Sequence, residues 1–216
     1  MHRHQHAQAF AIQQTPELAR QIAFHEAGHA ISIYFGNRLR DLPPVYFRID
    51  IKRSANGIVN AAKVVDGQLI QDLPVPLLEN LSDLSEQEKH SYQCAYEADV
   101  VNLLAGPLAE ARYVSIRDDE ILNLNLLSTE ALEQHYGGQS DLEKACQYLE
   151  HFIADPKRRE EKMLELFTEA WIFISQRQYW SAVIILANHL LENAETAISC
   201  EDIGQLLTRH LSKKAG

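Results

Sequence analysis

The sequence predicts a mainly α fold (α+β) with one small β-hairpin or sheet. Three observations predict it. Helix start and stop signals recur along most of the chain. One pair of β-rich segments flanks an Asn-Gly turn. A His-Glu-x-x-His run falls in the middle of the first helical stretch. With 216 residues, 46% of them hydrophobic and 23% charged, the chain can bury a substantial core as one domain. The expected organisation is a disordered start over 1–14 and a single domain over 15–216. Within it, 15–153 forms a metal-site part and 154–213 a C-terminal helical part.

Each element has its own signal. Thr15 is an N-cap, Pro16 fits the first helical position, and Glu17 is an acid in the first turn. Gly36 is the expected stop, so the first helix spans about 16–35. Residues 45–51 (VYFRIDI) alternate and are rich in β-formers. Residues 57–65 (GIVNAAKVV) follow the turn at Asn56-Gly57, and the two segments make a hairpin. Gly67, Pro74 and Pro76 mark a long loop over 66–84. Ser85 with Glu88 is a capping box. It opens a helix to about residue 114, which Gly106-Pro107 should kink or split. A short helix is expected over 128–136, stopped by Gly137-Gly138. Ser140 should cap a helix from Asp141 to about Phe152. Asp155-Pro156 starts another to about Gln176, a further helix covers about 179–193, and Ser199 with Asp202 caps the last.

Composition excludes several function classes. The net charge of −10 argues against a nucleic-acid binder, which needs a basic face. No stretch approaches 18 uninterrupted apolar residues, so no membrane span is expected; the best candidate, Ala182 to Leu191, carries Asn188 and His189. The start lacks a basic-then-apolar signal pattern. Cys94, Cys146 and Cys200 are scattered and odd in number, which fits a reducing compartment and a cytoplasmic protein. His2, His4 and His6 are expected to lie in the solvated start of the chain.

The run His25-Glu26-Ala27-Gly28-His29 carries the chemistry. Residues four apart share one helix face, so His25 and His29 can hold one metal ion. Glu26 can reach a water on that ion, which is the arrangement of a zinc hydrolase. Leu18, Ile22, His25, His29 and Ile33 form one stripe, so the histidines face inward. A catalytic zinc needs a third protein ligand and an open position. The longer HExxHxxGxxH pattern fails at Ser32, Phe35 and Arg38. Glu97, in a following helix, and Asp141, just after Gly137-Gly138-Gln139-Ser140, are the two candidates.

Four stretches resemble the peptidase domain of the FtsH-type proteases, the membrane-anchored, ATP-driven zinc peptidases. HEAGHA at 25–30 is similar to the family's zinc helix. LLAGPLAEARY at 103–113 resembles its LLGGRAAEE segment, and GGQSDLEKA at 137–145 resembles its SGASNDLEQAT segment. YWSAVIILANHLLENAETAISCEDIGQLL at 179–207 resembles the closing helices. The order is the family's. The resemblance implies a helical peptidase domain with one Zn²⁺, held by His25, His29 and Asp141. Asp141 suits that role physically, because a carboxylate at a helix N-terminus stays ionised beside the helix dipole. Glu110 falls on a family glutamate. It would accept a hydrogen bond from the free nitrogen of His25 or His29, or else pair at the surface with Arg112 or Arg117.

The chain also departs from the family. It has no GxxxxGKS/T phosphate loop and no membrane span, about 15 residues precede the zinc helix, and Ser115 to Tyr136 lengthen one spacing. The expectation is therefore a zinc-dependent metalloendopeptidase acting on flexible peptides or unfolded protein tails. Glu26 would activate a water whose pKa the metal lowers from ~16 towards ~7. Substrate would add as a strand along a hairpin edge from Gly57 to Ala62, with Gly57, Ile58 and Val59 as its binding residues. A separate ATPase or a homo-oligomer is the expected partner. The alternative expectation is a zinc-stabilised binding or regulatory protein that keeps a peptidase-like fold. A non-proteolytic zinc hydrolase is a third.

Overall fold

The structure, a computed structural model, describes residues 15–71, 84–120 and 138–212. Helix α1 (Pro16–Ile31) runs through a π-helical turn (Ser32–Gly36) into a single further turn, α2 (Asn37–Leu39). Strands β1 (Phe47–Arg53) and β2 (Val59–Asp66) form the hairpin. Then come α3 (Glu86–Arg117), α4 (Gln139–Phe152), α5 (Pro156–Ser175), α6 (Arg177–Glu192), β3 (Ala197–Ser199) and α7 (Cys200–Ser212). The fold is mainly α with a small antiparallel sheet. The expected helix over 128–136, the start over 1–14 and most of the 66–84 loop lie outside the described residues. Among the described residues no helix is long and apolar enough to cross a membrane.

Most local signals operate as read. The Thr15 hydroxyl accepts from the Leu18 N–H at 3.2 Å. Ser85 and Glu88 form a complete capping box, Asp155 caps α5, and Ser199 with Asp202 exchange bonds at the start of α7. Three expectations need correction. Gly36 is no stop: it keeps right-handed helical angles, φ −63° and ψ −43°. The helical path ends instead at Asp41, which is left-handed at φ 54°. There the Leu42 N–H reaches back to the Asn37 carbonyl, closing the last turn. Ser140 caps nothing, because α4 already begins at Gln139 behind Gly138. Gly106-Pro107 does not split α3, which runs unbroken for 32 residues.

Packing explains the third correction. Two apolar cores meet across α3. On one side Ala105 and Ala109 join α1, the sheet, α6 and α7. On the other, Val100, Leu104 and Leu108 join α4 and α5. Burying each of these larger side chains stabilises by about 1.5–3 kcal/mol, which outweighs the ~3 kcal/mol cost of an interior proline. The division expected near residue 153 does not follow this packing, since α6 and α7 share a core with α1.

The sheet order is β2-β1-β3. Ile49 pairs with Val64 on one side and with Ile198 on the other. Strand β3, only three residues long, has no periodic signal of its own and exists because β1 offers it a buried edge. Among the described residues no strand pairs with the outer edge of β2, and that edge lies beside α1.

Candidate metal centre

The middle of α1 is pressed against α3 at two glycines. A Cβ on Gly28 would sit 2.5 Å from the Ala105 carbonyl oxygen and 2.6 Å from the Ala109 Cβ. A Cβ on Gly106 would sit 2.2 Å from His29 Nε2. Only hydrogen fits at either position. Gly106, expected as a helix breaker, instead opens the space that the His29 ring occupies.

Each imidazole is oriented by an acceptor on α3. His25 Nδ1–H donates to Glu110 Oε2 at 3.0 Å, and His29 Nδ1–H donates to the Asn102 carbonyl at 2.8 Å. Both acceptors can only accept, so both Nε2 atoms are left to turn inward. They approach to 3.1 Å. Asp141 Oδ2, brought in by the first turn of α4, lies 3.1 Å from His25 Nε2 and 3.4 Å from His29 Nε2. All three side chains are largely buried, 10–13% exposed. Of the two acids left open by spacing, Asp141 reaches the histidines, while Glu97 accepts from Lys162 at 3.0 Å on the α5 side. Glu110 takes the buried role. Arg112 is engaged elsewhere, donating to the Ile174 carbonyl and lying over Trp180. Arg117 pairs with Glu17 and Asp118.

These three atoms could hold a metal ion. Tetrahedral ligands at bond lengths of about 2.0–2.1 Å stand about 3.3 Å apart, and the observed 3.1, 3.1 and 3.4 Å match that triangle. The three side chains all line one groove. The electrostatics also call for positive charge there. Burial pulls the His25 pKa down, but the hydrogen bonds with Asp141 and Glu110 outweigh it and push it up to about 10. Burial would raise Asp141, yet the two imidazoles hold its carboxyl well below the usual range.

The groove has a volume of about 370 Å³ and is lined by the two histidines, Glu26, Asp141, the end of β2 and the segment after it. Glu26 Oε2 accepts from the Val64 N–H at 2.6 Å. That bond aligns the Glu26 carboxylate and shows which strand atoms face the site. Residues two apart on a strand point alike, so the N–H and C=O groups of Ala62 and Val64 face the groove, whereas Asp66 ends the strand in a left-handed conformation at φ 65°. Gly57, Ile58 and Val59 do not line it. Gly57 and Ile58 lie in the turn, and the buried Val59 begins β2 at its far end.

Sequence reasoning missed a further buried carboxylate on the groove, Asp99. It accepts from the Leu69 N–H at 2.9 Å, the Ile70 N–H at 2.9 Å and the Tyr148 hydroxyl at 3.2 Å. This ties the segment after β2 to α3 and α4. Burial raises the Asp99 pKa to about 6 against the pull of those donors. An acid inside the apolar run of Ala98, Val100 and Val101 was the available signal. No protein-family model matches the chain, and no curated protein matches it.

Proposed function

We propose that this protein is a zinc-dependent metallopeptidase acting on unstructured peptides or protein tails. The observation that carries this reading is the convergence of His25 Nε2, His29 Nε2 and Asp141 Oδ2 at 3.1–3.4 Å, with Glu26 in the same groove. The resemblance of four segments to the FtsH-type peptidase domain supports the same reading. A bound Zn²⁺ would supply a Lewis acid and lower the pKa of a water at its open position.

The chain's own groups do the rest. Glu110 and the Asn102 carbonyl hold the two rings in the tautomer that leaves Nε2 free. Glu26 is the proton carrier: it takes the proton from the attacking water and passes it to the leaving amine. The Val64 N–H holds its carboxylate in place meanwhile. Apart from the Val64 N–H that Glu26 holds, the outer edge of β2 at Ala62–Asp66 offers backbone groups to an extended chain, which would lie along the groove. A folded substrate cannot present such a strand, so a separate ATPase is part of the proposal for folded targets.

Glu26→Gln tests the reading. The zinc-loaded variant should bind metal as wild type does and lose about 10²–10⁴-fold in cleavage of an unstructured peptide. Undiminished cleavage by the variant overturns the mechanism.

A further inference from the structure

Four acidic side chains line the metal groove, and each is answered by the fold. Glu26 accepts from Val64, and Asp141 faces the imidazoles. Asp99 accepts from Leu69, Ile70 and Tyr148. Asp66 lies 3.5 Å from an Arg48 nitrogen. The groove's two lysines are not answered. Among the described residues neither Lys63 nor Lys144 has an ion-pair or hydrogen-bond partner. Lys63 is exposed on β2 opposite Asp50, which Arg48 already holds. Lys144 differs. It is half-buried, and it stands three residues after Asp141 on α4, on the same helix face as that ligand.

The outer edge of β2 and the first turns of α4 both line the groove, together with residues of α1 and α3. An extended peptide on the β2 edge sends alternate side chains to opposite sides. One set would therefore point at the α4 wall, where Lys144 is. A divalent ion held by His25, His29 and Asp141 would add positive charge to the same space. Four carboxylates against two lysines and a divalent ion would leave the lining formally neutral, so what stands out is Lys144 itself, a half-buried cation with no ion-pair partner among the described residues.

We propose that Lys144 is a specificity-determining residue that receives the carboxylate of an Asp or Glu beside the scissile bond, so that the preferred substrates are acidic peptides. This rests on the peptidase reading above. The ammonium group loses part of its hydration in the groove, and a substrate carboxylate replaces it in a partly water-excluded setting. A charge pair is worth more there than on an open surface.

The test uses the zinc-loaded full chain and matched unstructured peptides that differ only in Glu or Gln, moved one position at a time across the cleavage site. Wild type should favour the Glu peptide by about 10-fold in kcat/KM at one position. Lys144→Gln should bring that ratio to about 1, and Lys144→Glu should favour a Lys peptide instead. Zinc content of each variant is measured alongside, so that loss of the metal is not mistaken for loss of selectivity. Cleavage with no charge preference, or an unchanged preference in Lys144→Gln, overturns the proposal and leaves the peptidase reading standing. An equal loss on both peptides also overturns it, because Lys144 would then act on the scissile group. Binding of the same peptides to zinc-loaded Glu26→Gln separates the two readings. A Glu preference in binding that Lys144→Gln abolishes, with no hydrolysis by wild type, sinks the peptidase and keeps the recognition. No binding and no hydrolysis sinks both.

Discussion

Asp141 and Asp99 line the same groove, and burial treats them in opposite ways. Burial alone raises the pKa of both carboxyls. Asp141 nevertheless ends well below the usual carboxylate range, whereas Asp99 ends at about 6. The difference is the chemistry of their neighbours. Asp141 faces two imidazoles that can carry positive charge. Asp99 faces two backbone amides and a phenol, which donate hydrogen bonds but carry no charge. Dipoles compensate part of the lost hydration, and a full charge reverses it. One buried acid therefore stays ionised beside the imidazoles, and the other is a latch on the groove's wall.

The largest effect that can break this comparison is on the metal. Asp141→Asn should weaken zinc binding by more than about 100-fold, since losing a direct ligand exceeds the 10–100-fold typical of an outer partner. Asp99→Asn should leave zinc affinity close to wild type. Competition with a chromophoric chelator reads both, and equal losses in the two variants would erase the distinction.

Next comes the pH dependence of stability. The Asp99 pKa is raised in the folded state to about 6 from the ordinary 3.8. Between those values the folded chain holds a proton that the unfolded chain has released. The Asp99 contribution to stability is therefore greatest at low pH and falls as pH rises from about 4 to about 6, by roughly 3 kcal/mol. The depressed Asp141 acts in the opposite sense, and its contribution is lost as pH falls below the ordinary carboxylate range. Urea unfolding of wild type and Asp99→Asn across that window isolates the Asp99 share. A difference between the two proteins that does not change with pH removes it.

The smallest effect comes from the phenol. Tyr148 donates to both Asp99 and the Ile70 carbonyl, at 3.2 Å each. Tyr148→Phe should cost about 0.5–1.5 kcal/mol and raise the Asp99 pKa further, because one donor to the ionised form is gone. The midpoint of unfolding and an NMR titration of the Asp99 carboxyl read the two consequences. A lowered Asp99 pKa in this variant would contradict the latch.

Much of the site was legible because its signals are local. His25, Glu26 and His29 lie within five residues of one helix, whose start is written in Thr15 and Pro16. Asp141 lies far along the chain and became legible only through its surrounding segment. Glu110 was legible as a choice between two partners, which spacing could not settle. The groove's edge was placed a few residues too early, from Gly57 to Ala62, a range of which Ala62 lines the groove and Gly57–Val59 do not. Which strand atoms face α1 depends on how the hairpin docks, and the alternation of residues 57–65 does not contain that.

The sequence by itself determined the helical periods, their caps, the hairpin turn and the pair of imidazoles four residues apart. Each of these is an interaction among near neighbours in the chain, so short-range geometry is enough to decide it. The tertiary structure alone decided that α3 continues through Pro107, that Gly106 is space for a histidine, that β3 pairs with β1, and that Asp99 is buried. Those outcomes depend on which surfaces meet. Apolar burial on both faces of α3 and the close approach of α1 are collective terms, larger than any local preference they override.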